Sequence, residues 1–398
     1  MAIPTPSPVT VPLRRSSRVT RPPVWTADYI YSTMEASHHD WPLHQMDVHN
    51  VFLHGDLDKE IYMDIPPGLR NQGENLWNAK FTEALTTIGF TQSKLDYALF
   101  SKQKGESFIN LIVYVDDILI TGNDEKVIIE LKEYFHNTFH IKDSGAPKFF
   151  LGIEIACSSE GISLSQWKYV FELIADSRLA TCKPSIIPVE QNVKLTTQEY
   201  DEKSQNPEID LLLKDSSSYQ WLVRRLIYLT MTRPYISYAV QILNQFMHAP
   251  KQSHMDATMK VLKYLKGCPW LRLLLPRKGD LNIIAYYDSD WGSCPMTRRS
   301  LIGFCVKLGG SLISWKTKKQ STIPLSLAKE EYRAMPKTTC EVTWILGLLK
   351  DLNLQVETPI KLYCDNKTAK DIAINLVFHE RTKHIEIDCH FVRDKIQV

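Results

Sequence analysis

Residues 111–122 read Leu-Ile-Val-Tyr-Val-Asp-Asp-Ile-Leu-Ile-Thr-Gly, which sets two adjacent carboxylates between two apolar, β-branched runs. Each run has the length and composition of a strand, so the stretch predicts a hairpin with Asp116 and Asp117 at or near its bend. A carboxylate beside so much apolar surface is costly unless it meets a cation. Mg²⁺ suits that role because it binds one or two carboxylates together with phosphate oxygens. An ordinary turn with two solvated aspartates is the alternative interpretation, since aspartate is common in turns.

The composition is that of a globular protein of two or three domains: 398 residues, 44% of them hydrophobic and 23% charged. A net charge of +2 does not by itself indicate nucleic-acid binding, although basic residues cluster at 14–21, 298–299 and 316–319. The eight cysteines form no Cys-x-x-Cys pair, which argues against a zinc ribbon or a disulfide framework. Residues 1–15 lack the apolar core of a signal peptide, and no apolar run has membrane-spanning length. The sequence therefore predicts an intracellular protein with no membrane partner.

Two acids in the last third of the chain stand at the ends of predicted strands. Residues 281–287 predict a strand that ends at Asp288, and residues 360–364 predict another that ends at Asp365. Between them, Ser326 is placed to cap a helix that contains Glu331 and runs to about residue 352.

Four residues carry a resemblance to a known family. Tyr114-Val115-Asp116-Asp117 resembles the Tyr-x-Asp-Asp signature of reverse transcriptases, and residues 114–124 (YVDDILITGND) resemble the copia-type retrotransposon polymerase. Further stretches agree with that family in the same order along nearly the whole chain: 44–55 (HQMDVHNVFLHG), 60–68 (EIYMDIPPG), 150–155 (FLGIEI), 226–234 (LIYLTMTRP), 311–320 (SLISWKTKKQ) and 379–395 (HERTKHIEIDCHFVRDK). So many matches are far more specific than one short motif. The resemblance implies a Pol polyprotein fragment in which a reverse transcriptase is followed by RNase H.

The resemblance implies a polymerase site made of three aspartates and two substrate-binding residues. Asp47, Asp116 and Asp117 are implied to be catalytic metal ligands, Asp117 with less support because adjacent strand residues point to opposite faces. Phe52 is implied to screen out the 2′-hydroxyl of ribonucleotides, whereas core packing is the alternative for this residue. Tyr114, within the signature itself, is the second expected substrate-binding residue.

A nuclease site is implied by the same resemblance, which maps Asp288, Glu331 and Asp365 onto three metal-binding carboxylates of the RNase H fold. Two metal ions about 4 Å apart activate a water and stabilise the leaving oxygen in phosphodiester hydrolysis, and they need carboxylates from several elements. The expected cofactor of both sites is Mg²⁺ or Mn²⁺. The expected partners are an RNA template, a DNA primer, an RNA–DNA hybrid and dNTPs, in a cytoplasmic particle or the nucleus, with the oligomeric state left open.

Departures from the family pattern indicate an impaired copy. Residues 29–31 run almost directly into residues 41–45, where the family has a fingers region, and the family's Leu-Tyr-Gly-Leu-Lys-Gln-Ala motif is absent after residue 69. The fourth nuclease carboxylate is expected beyond Val398. Because positioning supplies much of the rate in phosphoryl transfer, we expect a polymerase that is absent or very weak and an impaired nuclease. A non-catalytic nucleic-acid-binding remnant and an unstable pseudogene product are the alternatives.

The predicted domain order follows from these patterns and the resemblance together. Residues 1–35, rich in Pro, Ser, Thr and Arg, are predicted to be a disordered linker. The expected fold is an α+β polymerase palm remnant over 36–165, without fingers, and a helical thumb or connection over 166–279. An α/β RNase H-like domain over 280–398, truncated at its C-terminus, is expected to follow.

Overall fold

The computed structural model describes residues 25–48, 72–115, 117–191, 193–204, 210–277, 279–323 and 326–374, together with Val392 and Lys395. Within these ranges the chain forms three sheets, with helices packed between and around them. No helix in this part of the chain is long and apolar enough to cross a membrane.

Six strands form the N-terminal sheet: β1 Leu43–Asp47, β2 Thr91–Gln92, β3 Leu99–Lys104, β4 Ser107–Tyr114, β5 Asp117–Gly122 and β6 Lys142–Gly145. They pair antiparallel in the order β2-β3-β4-β5-β1-β6. Helices α2, Gln72–Thr87, and α3, Glu125–Phe139, cover one face of this sheet. Helix α1, Trp25–His39, contacts the other face at β4 and β5.

Cover on both faces explains why the apolar runs around the two aspartates are continuous rather than alternating. Leu111 and Ile118 face α2 and α3, whereas Ile112 and Leu119 belong to the core that contains α1. A strand buried on both faces reads as an unbroken hydrophobic run, because neither set of alternate side chains meets water. The predicted hairpin is thus present as β4 and β5.

A second sheet connects the N-terminal and C-terminal parts of the chain. Its strands are β7 Phe149–Phe150, β8 Ile153–Ser158, β9 Gly161–Ser165 and β10 Leu273–Pro276, in the order β10-β9-β8-β7. Strand β10 lies near the end of residues 166–279, the region predicted to be a helical thumb or connection. Its backbone hydrogen bonds go to β9.

Between β9 and β10 the described residues include five α-helices: α4 Trp167–Asp176, α5 Gln198–Ser204, α6 Ser217–Leu229, α7 Ser237–Leu243 and α8 Gln252–Gly267. Apolar side chains of this region form a separate core. Pro234 begins a short 3-10 turn between α6 and α7, because a proline disfavours helical backbone in the residue before it.

The third sheet consists of β11 Asn282–Asp290, β12 Leu301–Leu308, β13 Ser311–Lys319 and β14 Glu357–Tyr363, in the order β13-β12-β11-β14. Strands β11, β12 and β13 are antiparallel neighbours, whereas β14 runs parallel to β11. The connection from β13 to β14 includes α9, Leu327–Asp351, which packs on β11. Helix α10, Lys367–Ile374, follows β14 and contacts α9.

Helix α1 corrects the prediction of a disordered linker as far as residue 35, because the chain is helical from Trp25 onward. Its buried Ile30, Tyr31 and Met34 belong to a core that includes side chains from all three sheets. The side chain of Glu35 is also fully buried and accepts a hydrogen bond of 2.6 Å from Asn110 Nδ2. Burial raises the pKa of Glu35 well above its usual value, and the hydrogen bond from Asn110 opposes that rise.

The fold predicts a stabilising substitution at Pro336, a buried residue inside α9. Proline lacks the N–H that a helix interior requires and costs roughly 3 kcal/mol relative to alanine there. Pro336→Ala should raise the free energy of unfolding by about 1–2 kcal/mol, because lost packing offsets part of that gain. Urea unfolding would measure the change. Cys340→Ala, at an exposed position of the same helix, is the control and should shift it by less than about 0.5 kcal/mol. A decrease for Pro336→Ala would show that packing of the ring outweighs its backbone cost.

Candidate active site

Two aspartates predicted for the polymerase site lie directly opposite each other. Asp47 ends β1 and Asp117 begins β5, and the antiparallel register pairs them. On the other side of Asp117, the same register pairs it with Tyr114, the last residue of β4. Residues paired in this way project from the same face, so Asp47, Asp117 and Tyr114 form one row across three strands. Asp116 and Phe52 lie outside the described residues.

Asp117 is half-buried and held by a neighbour on β1, because Gln45 Nε2 donates a hydrogen bond of 2.8 Å to Asp117 Oδ1. Gln45 and Asp47 alternate on the same face of β1, which brings the amide beside the acid pair. Of the three aspartates, Asp117 was predicted with the least support. The register instead makes it the ladder neighbour of Asp47, because the hairpin turns before Asp117 and not after it.

The turn between β4 and β5 contains a strained residue. Val115 has a φ of 51°, in the left-handed region that β-branched residues rarely adopt. Two-residue hairpin loops favour positive φ because their twist then matches that of the strands. A valine in that conformation costs on the order of 1–3 kcal/mol, and such strain concentrates at functional sites. Nothing in the sequence signals this, since glycine or asparagine is the usual residue.

The acid pair has the charge pattern of a cation site. Like charges directly opposite each other on neighbouring strands repel, so Asp47 and Asp117 favour a cation between them. A lysine lies close by, because Lys142 of β6 is the ladder neighbour of Asp47 on its other side. The pair therefore suits a divalent ion together with an anionic ligand that Lys142 can meet.

The three acids predicted for the nuclease site come from three elements that meet at one end of the third sheet. Tyr286 of β11 is paired in parallel with Tyr363 of β14, and Asp288 and Asp365 each follow two residues later. They therefore lie at the same end of the two strands. Glu331 comes from the first turns of α9, and its Oε1 accepts a hydrogen bond of 3.1 Å from the backbone N–H of Ser289.

The surroundings of Glu331 favour a cation. Its side chain is 2% exposed, and Oε2 has no hydrogen-bond partner among the described residues. Burial, together with the nearby carboxylates of Asp288 and Asp365, raises the pKa of Glu331 to about 7. A buried orphan oxygen facing two further acids is a good fit for a divalent metal ion.

The surface beside these acids forms a cleft of about 590 Å³, and Tyr286, Asp288, Tyr363 and Asp365 are among its lining residues. The rings of Tyr286 and Tyr363 stack with centroids 5.2 Å apart.

Cys364 is a further member of the acid cluster that was not predicted from the sequence. Its Sγ lies within 4.8 Å of carboxylate oxygens of both Glu331 and Asp365. Its position next to Asp365 was the only signal in the sequence.

Comparison with known proteins identifies the family. Residues 23–191 match the model of the reverse transcriptase (RNA-dependent DNA polymerase) family. The chain is 38% identical over 375 residues to the retrovirus-related Pol polyprotein from transposon RE1 of Arabidopsis thaliana, which covers 90% of this chain and 25% of that protein. The Pol polyprotein from transposon TNT 1-94 of Nicotiana tabacum is 30% identical over 383 residues, or 90% of this chain and 28% of its own length.

The chain belongs to the copia-type retrotransposon Pol family. This confirms the resemblance carried by the Tyr-x-Asp-Asp stretch and the stretches around it. The chain spans about a quarter of the length of these Pol relatives. It also covers 93% of an uncharacterized mitochondrial protein of Arabidopsis thaliana, with 39% identity over 236 residues. The reverse transcriptase family has a polymerase-like α+β fold and generally uses divalent metal ions.

The raised pKa of Glu331 predicts a specific dependence of stability on pH. Because the folded chain binds this proton more tightly than the unfolded chain, the stabilising contribution is complete below about pH 4.5 and is lost as pH rises through about 7. Its full size is on the order of 3 kcal/mol. Glu331→Gln should remove this dependence and be the more stable protein at pH 8. Urea unfolding across that range, in chelator, would measure it.

The control for this experiment is Glu133→Gln, at an exposed position on α3, which should leave the pH profile of stability unchanged. Chelator is needed because a bound cation would stabilise the ionised form of Glu331 and hide its titration. Identical pH profiles for the wild type and Glu331→Gln would show that Glu331 does not carry a shifted proton.

Proposed function

We propose that residues 280–374 form an RNase H-like nuclease unit that cleaves the RNA strand of an RNA–DNA hybrid. The observation that carries the proposal is the convergence of Asp288, Glu331 and Asp365 from β11, α9 and β14. These three residues would hold Mg²⁺ or Mn²⁺. Divalent ions in such a site activate a water and stabilise the leaving oxygen of a phosphodiester.

The residues around the acids support that role. The backbone N–H of Ser289 fixes one oxygen of Glu331, which leaves the other oxygen to face the site. Asp288 is exposed at the cleft, where a nucleic-acid backbone can reach it. The stacked rings of Tyr286 and Tyr363 line the same cleft, and aromatic rings of this kind pack against sugars and bases.

We further propose that the row of Asp47, Asp117 and Tyr114 descends from a polymerase site, in which Asp116 completes the metal ligands and Phe52 contacts the nucleotide. The fold supports a weak or absent activity. Helix α1 contacts the acid-bearing face of the sheet at β4 and β5, so that face is covered next to the acid row. Positioning of primer, template and dNTP supplies much of the rate in phosphoryl transfer, and the fingers pattern is absent from the sequence.

The nuclease proposal predicts weak cleavage of an RNA–DNA hybrid in Mg²⁺ or Mn²⁺, lost in chelator. Asp288→Asn should reduce that cleavage at least tenfold, because it removes one of three carboxylates that hold the metal. A labelled hybrid resolved on a gel would measure the rate. Asp280→Asn is the matched control, because it makes the same change in charge at an exposed aspartate just before β11. Equal cleavage by Asp288→Asn and the wild type would contradict the assignment.

A non-catalytic nucleic-acid binder is the second candidate, and the face that carries Tyr286 favours it. On that face the register places Lys307 of β12 and Lys361 of β14 on either side of Ile284. Two cations beside an aromatic stack can meet phosphates while the rings meet bases. The cleavage experiment separates the candidates. Hybrid binding that weakens steeply with salt, without turnover in any metal, would assign the binding role.

The polymerase proposal predicts primer extension that is absent or very weak on an RNA template with dNTPs and Mg²⁺. Any extension detected should be abolished by Asp117→Asn, because the ladder neighbour of Asp47 would lose its charge. Asp143→Asn, in neighbouring β6, is the control for the loss of a nearby negative charge, and it should extend a primer as the wild type does. Robust extension by the wild-type chain would overturn the proposal that the polymerase is impaired.

A further inference from the structure

One cluster in the proposed nuclease unit contains a thiol as well as carboxylates. Cys364 follows β14 directly, and its Sγ, a carboxylate oxygen of Glu331 and one of Asp365 all lie within 4.8 Å of one another. Cys364 is 9% exposed and is one of the residues that line the cleft. The three side chains come from α9 and from the end of β14, and they surround one small volume.

Two observations beyond proximity point to a ligand in that volume. Glu331 is 98% buried, its Oε1 is taken by the backbone N–H of Ser289, and its Oε2 has no partner among the described residues. The backbone N–H of Asn366 lies 3.3 Å from Cys364 Sγ and donates to it. A donor of this kind stabilises a thiolate, and hydrogen bonds behind the ligands are typical of built metal sites.

We propose that Glu331, Cys364 and Asp365 form a binding site for a thiophilic divalent cation of the zinc class. Zinc binds thiolate sulfur at about 2.3 Å and carboxylate oxygen at about 2.0–2.2 Å, so tetrahedral ligand atoms lie roughly 3.5 Å apart. Small side-chain rotations bring the three atoms to that spacing. Water takes the fourth position, as at zinc sites with three protein ligands.

The thiol decides which metals the site selects. Mg²⁺ takes oxygen ligands, whereas thiolates favour zinc and other thiophilic ions. Binding requires the thiolate, so the proton of Cys364 leaves to solvent when the metal enters. A proton carried by Glu331 leaves in the same way.

Zinc at this site would share Glu331 and Asp365 with the Mg²⁺ of the nuclease and would therefore inhibit hybrid cleavage. That consequence rests on the proposed function, whereas the binding of zinc does not. The test is accordingly made on the metal alone, without nucleic acid, so that a failure of the nuclease and a failure of this site are distinguishable.

The experiment titrates the full chain, stripped of metal and fully reduced, with Cd²⁺ as a spectroscopic stand-in for zinc. Cadmium–thiolate bonds give an ultraviolet charge-transfer band, which reports ligation by sulfur directly. The wild type should bind one Cd²⁺ ion per chain tightly, and Zn²⁺ should displace that ion whereas millimolar Mg²⁺ should not. Cys364→Ser should no longer bind this Cd²⁺ ion. The matched control, Cys157→Ser, changes an exposed cysteine on β8 and should bind it as the wild type does.

A second variant tests the carboxylate side of the site independently. Glu331→Gln keeps the size of the side chain and should weaken Cd²⁺ binding at least tenfold while retaining the cysteine. This result decides the question if Cys364→Ser fails to fold, as judged by circular dichroism. Equal Cd²⁺ affinity and stoichiometry for the wild type and Glu331→Gln, or for the wild type and a folded Cys364→Ser, would overturn the site.

Discussion

Helix α1 lies among three sheets, and burial of its apolar side chains links parts of the chain that are far apart in sequence. It contacts β4 and β5 of the first sheet, β9 and β10 of the second, and β13 of the third. Full burial of a large apolar side chain is worth roughly 1.5–3 kcal/mol. A sheet with an uncovered apolar face is unstable, and each of the three sheets contributes side chains to the core that contains α1.

The same contact explains why a buried acid is tolerated on α1. Glu35 accepts a hydrogen bond from Asn110 of β4 in the interior, where burial disfavours the charged carboxylate and raises its pKa. Ionisation of Glu35 would place a negative charge in the apolar contact between α1 and the first sheet. The helix whose burial links the three sheets thus also carries this polar contact with the first sheet.

The elements that could be predicted are those whose own sequence carries a regular pattern of apolar residues. The strands on either side of the two aspartates and helix α3 follow from apolar runs and from a stripe at helical spacing. Helix α1 and strand β10 could not be predicted in this way, because distant partners determine their conformation. The same holds at the candidate sites. Motifs indicated the acids, but only the strand register shows that Asp117 is the neighbour of Asp47 and that Cys364 enters the other cluster.

Helix α9 extends from the acid cluster around Glu331 to the N-terminal part of the chain. Glu331 stands in its first turns and Asp351 is its last residue, a separation of about 30 Å along a helix. At that far end Asp351 accepts a hydrogen bond of 2.6 Å from Ser93 Oγ, and the Trp344 ring meets Tyr31 of α1 edge-on. The helix that presents Glu331 to β11 is therefore anchored on the N-terminal part of the chain. The position of Glu331 relative to Asp288 and Asp365 therefore depends on contacts that α9 makes outside the third sheet.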